Sequence, residues 1–186
     1  MRKYLLFVIL LGFSAFAYAQ SSHRMAKSTI KPLTATDRKN YVLMIDQGKV
    51  SKSKYSLPKN NYYGKTVLFV PVKLTNSSND TLKYITMSCS WEEFYTTDNQ
   101  HTAIIPGKPC EKNIPKELAI APHAGVMVKV PVIKIQHAKK FRIGMALIKL
   151  DRGNDLGYFF DVDWIGFLNR DKERNNVIWS NPIELP

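Results

Sequence analysis

Polar and apolar positions alternate most cleanly between Thr66 and Ser90. In Thr66–Thr75 the residues Leu68, Val70, Val72 and Leu74 are uniformly apolar and interleave with Val67, Phe69, Pro71 and Lys73. Successive side chains of a strand point to opposite faces, so the first set is expected to face a core. Pro71 cannot donate to a ladder and suggests an edge position or a bulge. Asn76-Ser-Ser-Asn-Asp80 is turn chemistry. Thr81–Ser90 then alternates again, with Lys83, Ile85, Met87 and Cys89 against Leu82, Tyr84, Thr86 and Ser88. Prolonged to Trp91, the Cys89 set is the expected buried face, which places Cys89 and Trp91 inward on the same side.

The rest of the chain repeats this idiom. Tyr41–Ile45, His101–Ile105, Glu117–Ile120, Val126–Ile135, Phe141–Leu150, Leu156–Leu168 and Val177–Trp179 are short apolar or alternating runs. Polar or Gly/Pro-rich turns separate them, and Lys49–Lys65 has loop composition. No stretch sustains a 3.6-residue period. Eight or nine strands at such spacing predict an all-β fold, an immunoglobulin-like antiparallel β-sandwich with long loops.

The N-terminus stands apart from this pattern. Arg2 and Lys3 precede an apolar run from Leu5 to Phe16, and Ala17-Tyr18-Ala19 supplies small residues before Gln20. This is the layout of a cleaved secretory signal peptide. The run is shorter than the roughly 20 residues of a membrane span, so no transmembrane anchor is expected after cleavage. The organisation read from the sequence is a signal peptide over 1–19, a flexible lead segment over 20–40, and one β-sandwich domain over 41–186. The expected location is exported: periplasmic, cell-surface or secreted.

Charge and cysteines refine the picture. The 186 residues carry 27 basic and 15 acidic side chains. Without the signal peptide 25 basic residues face 15 acidic ones, a net charge of +10. An anionic partner surface suits that surplus, whereas an exported chain is not expected to meet nucleic acid. Cys89 and Cys110 are the two cysteines. In an oxidising compartment they are expected to form one disulfide. A metal pair would need His or acidic partners at metal-ligand spacing, which the sequence does not supply.

Residues 67–95 resemble the V-x-L-x-N-x-S-N-x-T-L segments of small exported immunoglobulin-like and fibronectin-like modules of Gram-negative bacteria, through Val72, Leu74, Asn76, Ser78, Asn79, Thr81 and Leu82. The resemblance implies the sandwich architecture and brings no catalytic residues. The tripeptide Asp80-Thr81-Leu82 resembles a bacterial O-glycosylation acceptor, which makes Thr81 a candidate modified residue beside its role in a turn.

No nucleophile-elbow, phosphate-loop or zinc-binding helix motif is present, and no cofactor or metal is expected. Glu92 and Glu93 are adjacent, so a regular strand would point them apart. Asp161 and Asp163 share a face in an extended reading, the one carboxylate pair suited to a small secreted hydrolase. The aromatics are more prominent. Trp91, Trp164 and Trp179, with Tyr62 and Tyr63 among lysines, form the candidate surface for a glycan or an envelope protein, since exposed rings stack on sugars and anchor partners. Core packing is the competing role for each. The function expected is a non-catalytic binding or structural module of the cell envelope.

Overall fold

The computed structural model describes residues 32–54, 64–107, 110–135, 138–150 and 176–185. The signal peptide, most of the lead segment, the Tyr62–Tyr63 loop and the stretch holding Asp161, Asp163 and Trp164 lie outside the described residues.

The fold is all-β and antiparallel, as expected. One five-stranded sheet carries β1 (Tyr41–Ile45), β3 (Thr66–Asn76), β8 (Gly125–Lys134) and β6 (Thr102–Ile104) in that order, with β2 (Ser51–Lys54) also on β3. The inner face of β3 is Leu68, Val70, Val72 and Leu74, all buried. They pack with Val130 and Val132 of β8 and Leu43 and Ile45 of β1. Smaller sheets supply the other wall of this core. They are β4 (Leu82–Met87) with β7 (Pro115–Ile120), β10 (Ile143–Ala146) between β5 (Tyr95–Thr97) and β11 (Val177–Trp179), and β9 (Lys140–Phe141) with β12 (Ile183–Glu184). After β10 the chain changes neighbours. Leu147 N–H still bonds to Asn176, whereas Ile148 and Leu150 exchange backbone bonds with Ile85 and Lys83 of β4.

Several expectations are corrected. Pro71 lies on an interior strand, neither at an edge nor in a bulge. β2 pairs with residues 66–69 and β1 with residues 72–76, so Pro71 faces the gap between these two partners. Its carbonyl accepts Asp46 N–H there, and the Asp46 carbonyl is itself taken by Lys49 N–H, so no acceptor is left waiting for a proline donor. Lys49–Lys65 is not all loop, because Ser51–Lys54 forms β2 with every side chain exposed. An edge strand exposed in this way shows no hydrophobic alternation to read. Twelve strands are described where eight or nine were expected.

The end of the lead segment is built into the fold. Leu33 is buried, and its N–H donates to Asn176 Oδ1. Ala35–Asn40 forms a helix, α1, entered through a capping box: Thr34 Oγ1 accepts Asp37 N–H, and the Asp37 carboxylate accepts Thr34 N–H. Asp37 also meets Lys149 across the fold at 2.5 Å. Burial by itself pushes the Asp37 carboxyl up, but Lys149 and Thr34 outweigh it and hold it below the usual carboxylate range.

The side chain of Asn76, fully buried at the end of β3, clamps two turns together. Its Nδ2 donates to the carbonyls of Asp80, Ile120 and Ala121 at 2.8, 3.0 and 3.2 Å. Its Oδ1 accepts from Ser78 N and Oγ at 3.0 and 2.6 Å. Beside it His123, at φ 56°, places Nε2 3.1 Å from Asn79 Oδ1.

Candidate functional site

The chain leaves β4 at Met87, and Ser90 (φ −104°, ψ 40°) turns it into a short 3-10 segment, Trp91–Phe94. This resets the phase of the alternation. Glu92 and Phe94 are buried, and Trp91 and Cys89 are only half-buried. The expectation that Cys89 and Trp91 point inward along one strand is therefore corrected, since a period of two holds only while the strand continues. The inward set on β4 is corrected as well. Leu82, Tyr84, Ile85, Thr86 and Met87 are all buried, and Lys83 is exposed and paired with Glu117 at 3.1 Å.

The expected disulfide is present. Cys89 and Cys110 are bonded, with their Cα atoms 6.2 Å apart. It lies at the surface rather than in the core, against a turn in which Asn113 Oδ1 accepts from the N–H groups of Cys89 and Ser90.

The 3-10 segment forms one side of a recess of about 240 Å³. Trp91 and Tyr95 line it from this side, Tyr84, Thr86 and Met87 from β4, and Lys116 and Leu118 from β7. Val128 and Met145 form part of its apolar wall. Trp91 stands edge-on to Tyr95, with ring centroids 5.8 Å apart and planes at 85°, a favourable quadrupole arrangement. Burial pushes the phenols of Tyr84 and Tyr95 up, and the two reinforce each other at Tyr95. Both stay neutral at physiological pH. The described walls thus offer rings, hydroxyls and one ammonium, and no carboxylate. A second cavity of about 190 Å³ lies between Val50, Lys52 and Leu68 and the C-terminal Ile183–Leu185.

Glu92 faces away from these walls. It packs on Gly107, where a Cβ would sit 2.8 Å from both carboxylate oxygens. Its Oε2 has no hydrogen-bond partner among the described residues. Burial pushes its carboxyl up, and Glu93 adds to this against two backbone bonds.

The structure separates Trp91 from Trp179. Trp179 pairs with Gly144, while Ile178, Met145 and Tyr95 occupy the alternate positions, so Trp179 lies on the opposite face of that sheet from the recess. It is 38% exposed, its ring covers Gly144, and the Arg142 guanidinium stands 5.4 Å from its centroid. Thr81 is exposed directly after the Asn76–Asp80 turn. Tyr62, Tyr63 and Trp164 lie outside the described residues.

Sequence reasoning named Trp91 but missed Tyr84 and Lys116. The one available signal was Trp91 and Tyr95 at a spacing of four, which brings two rings together in a helical turn but not in a strand. No helix among the described residues is long and apolar enough to cross a membrane, and no cluster of metal-binding side chains occurs among them. No family model, curated protein or solved structure matches this chain.

Proposed function

We propose that the chain is an exported, non-catalytic binding module of the cell envelope, built as an immunoglobulin-like sandwich, which holds one group of a glycan or protein partner in the Trp91 recess. The observation that carries this reading is the recess itself. A half-buried indole, edge-on to Tyr95, lines it together with Tyr84, Thr86, Ser88 and Lys116. Its volume suits one sugar ring or one side chain, below the several hundred Å³ typical of sites that enclose a whole small molecule. Neutral hydrogen-bonding groups around an aromatic face are the chemistry of recognition, and the described walls carry no paired carboxylates of the kind that hydrolysis of a glycosidic bond uses. Export is supported by the N-terminal signal pattern and by the Cys89–Cys110 disulfide.

The test is a glycan array and an envelope-protein pull-down, with the intrinsic tryptophan emission of hits followed in titration. Trp91→Ala is expected to weaken a genuine hit by about 30-fold, the scale of a buried aromatic anchor. Trp179→Ala, on the other face, is expected to leave it unchanged. A hit that survives Trp91→Ala at full strength rules the recess out as its site.

A further inference from the structure

The five-stranded sheet carries a second surface, on the side away from the recess. Its strands hold no Asp or Glu, although the chain as a whole has 15 acidic residues, and of their five lysines Lys73 and Lys129 stand on this side, whereas Lys52, Lys54 and Lys134 are in phase with the core-facing set. On the outer face Met44, Lys73 and Met127 stand directly opposite one another on β1, β3 and β8. At one strand spacing each they form a row about 10 Å wide. Val42 shares this face, one row along.

These side chains are open to solvent: Met44 is 53%, Met127 47% and Val42 38% exposed. Lys73 extends its stem over Gly125, where a Cβ would lie 2.7 Å from Lys73 Cε, so the glycine leaves room for the lysine to lie along the sheet. No carboxylate among the described residues pairs with Lys73 or Lys129. Asp46, on the turn after β1, is held by Lys49 at 2.9 Å. The other end of the same outer face is closed, since Val67, Ile105 and Ile133 are buried there.

We propose that this methionine–lysine face docks the protein onto an anionic lipid surface. The face offers two ammonium groups and pliable apolar area, and its neutral hydrogen-bonding side chains are the short hydroxyls of Ser51, Ser53 and Thr75. That combination matches a surface of repeating negative headgroups over hydrocarbon. Lysine ammonium groups meet the headgroups while their stems and the unbranched methionines settle into the interface. Two ammonium groups would also suit an acidic protein, and it is the exposed, unbranched methionines beside them that favour a yielding hydrocarbon interface. Adsorption is expected to be peripheral and reversible, because so small an apolar area supplies little insertion energy.

The test is co-sedimentation of the protein, purified after export, with vesicles of phosphatidylglycerol in phosphatidylcholine and of phosphatidylcholine alone. Binding is expected only to the first, and it should weaken as salt screens the lysines. Lys73→Gln with Lys129→Gln is expected to lower the partition coefficient about 25-fold, roughly fivefold per lysine. Met44→Ser with Met127→Ser is expected to lower it on the order of tenfold. Both pairs are exposed, so unchanged melting of each variant verifies that folding is intact. Trp91→Ala should bind as wild type, which separates this face from the recess. Equal binding to both vesicle types, or none, overturns the proposal. So does a methionine pair whose loss changes nothing, because the face would then read negative charge alone, as a soluble polyanion site does. Loss of vesicle binding in Trp91→Ala would move the lipid contact to the recess and likewise overturn it.

Discussion

Replacing Asn76 by Ala removes the amide that holds two turns together. Two Nδ2 hydrogens reach three carbonyls, and Oδ1 accepts twice from Ser78. Net, each bond is worth about 1 kcal/mol, and a buried carbonyl left without a donor costs about 1 kcal/mol more. Water reaches the exposed Ser78–Asp80 side once the amide is gone, but the Ile120 carbonyl is buried and stays unpaired. The expected loss is about 3–4 kcal/mol, a fall in Tm of about 10 °C for a chain of this size. Urea unfolding followed by tryptophan emission measures it, with Asn79→Ala as the control. Asn79 is exposed, so its replacement is expected to stay within about 0.5 kcal/mol. Asn76→Asp sharpens the test. A carboxylate in place of Nδ2 faces three carbonyl oxygens, so this variant should be worse than Ala at neutral pH and recover as acid protonates it. An Asn76→Ala cost under about 1 kcal/mol, or an Asp variant indifferent to pH, refutes the clamp.

Three further predictions concern other parts of the fold. Cys89→Ser with Cys110→Ser should cost about 3 kcal/mol by releasing a loop closed across 21 residues, read as a lower urea midpoint that matches reduced wild type. Glu92→Gln should stabilise the protein at neutral pH. The folded-state carboxyl is raised, so its stability is full below the unfolded value near 4.5 and falls as pH rises; Gln should remove that slope from the pH–stability curve. Asp37→Asn should destabilise by about 1–3 kcal/mol at pH 7 through loss of the charged bond to Lys149, with Thr34 retained. Wild-type Asp37 is depressed, so its contribution is present above the unfolded value near 3.8 and lost as pH falls below it, and the two curves should converge in acid.

The parts of the fold legible in the sequence are those where one face meets the core and the other meets water. β1 and β11 fall where the apolar runs Tyr41–Ile45 and Val177–Trp179 stand, and the inner face of β3 is the alternating set read from it. Legibility fails where that contrast disappears. β2 is exposed on every residue and shows no apolar face, and β4, though read as a strand, is buried on all but Lys83, so its alternation could not pick the inward side. The capping pair Thr34 and Asp37 was visible as residues, but without an apolar period behind it a six-residue helix gives no signal. The recess failed differently. Its walls come from five strands and a 3-10 turn, and the phase reset at Ser90 decides which of Trp91 and Glu92 turns inward. Asn76 read as an ordinary turn residue because two of its partners, Ile120 and Ala121, lie 44 and 45 residues away.

The ring of chain closed by Cys89 and Cys110 contains both β5 and β6. β5 hydrogen-bonds into the three-stranded sheet and β6 into the five-stranded one. A single covalent loop therefore holds a strand of each, which makes it a mechanical coupling between the sheets. A molecule stretched from its two ends cannot draw on the length inside that ring. With 21 residues withheld at roughly 3.4 Å each, the oxidised protein should reach full extension about 70 Å short of the reduced one. Pulled between any two attachments, the oxidised form is the shorter and less extensible link.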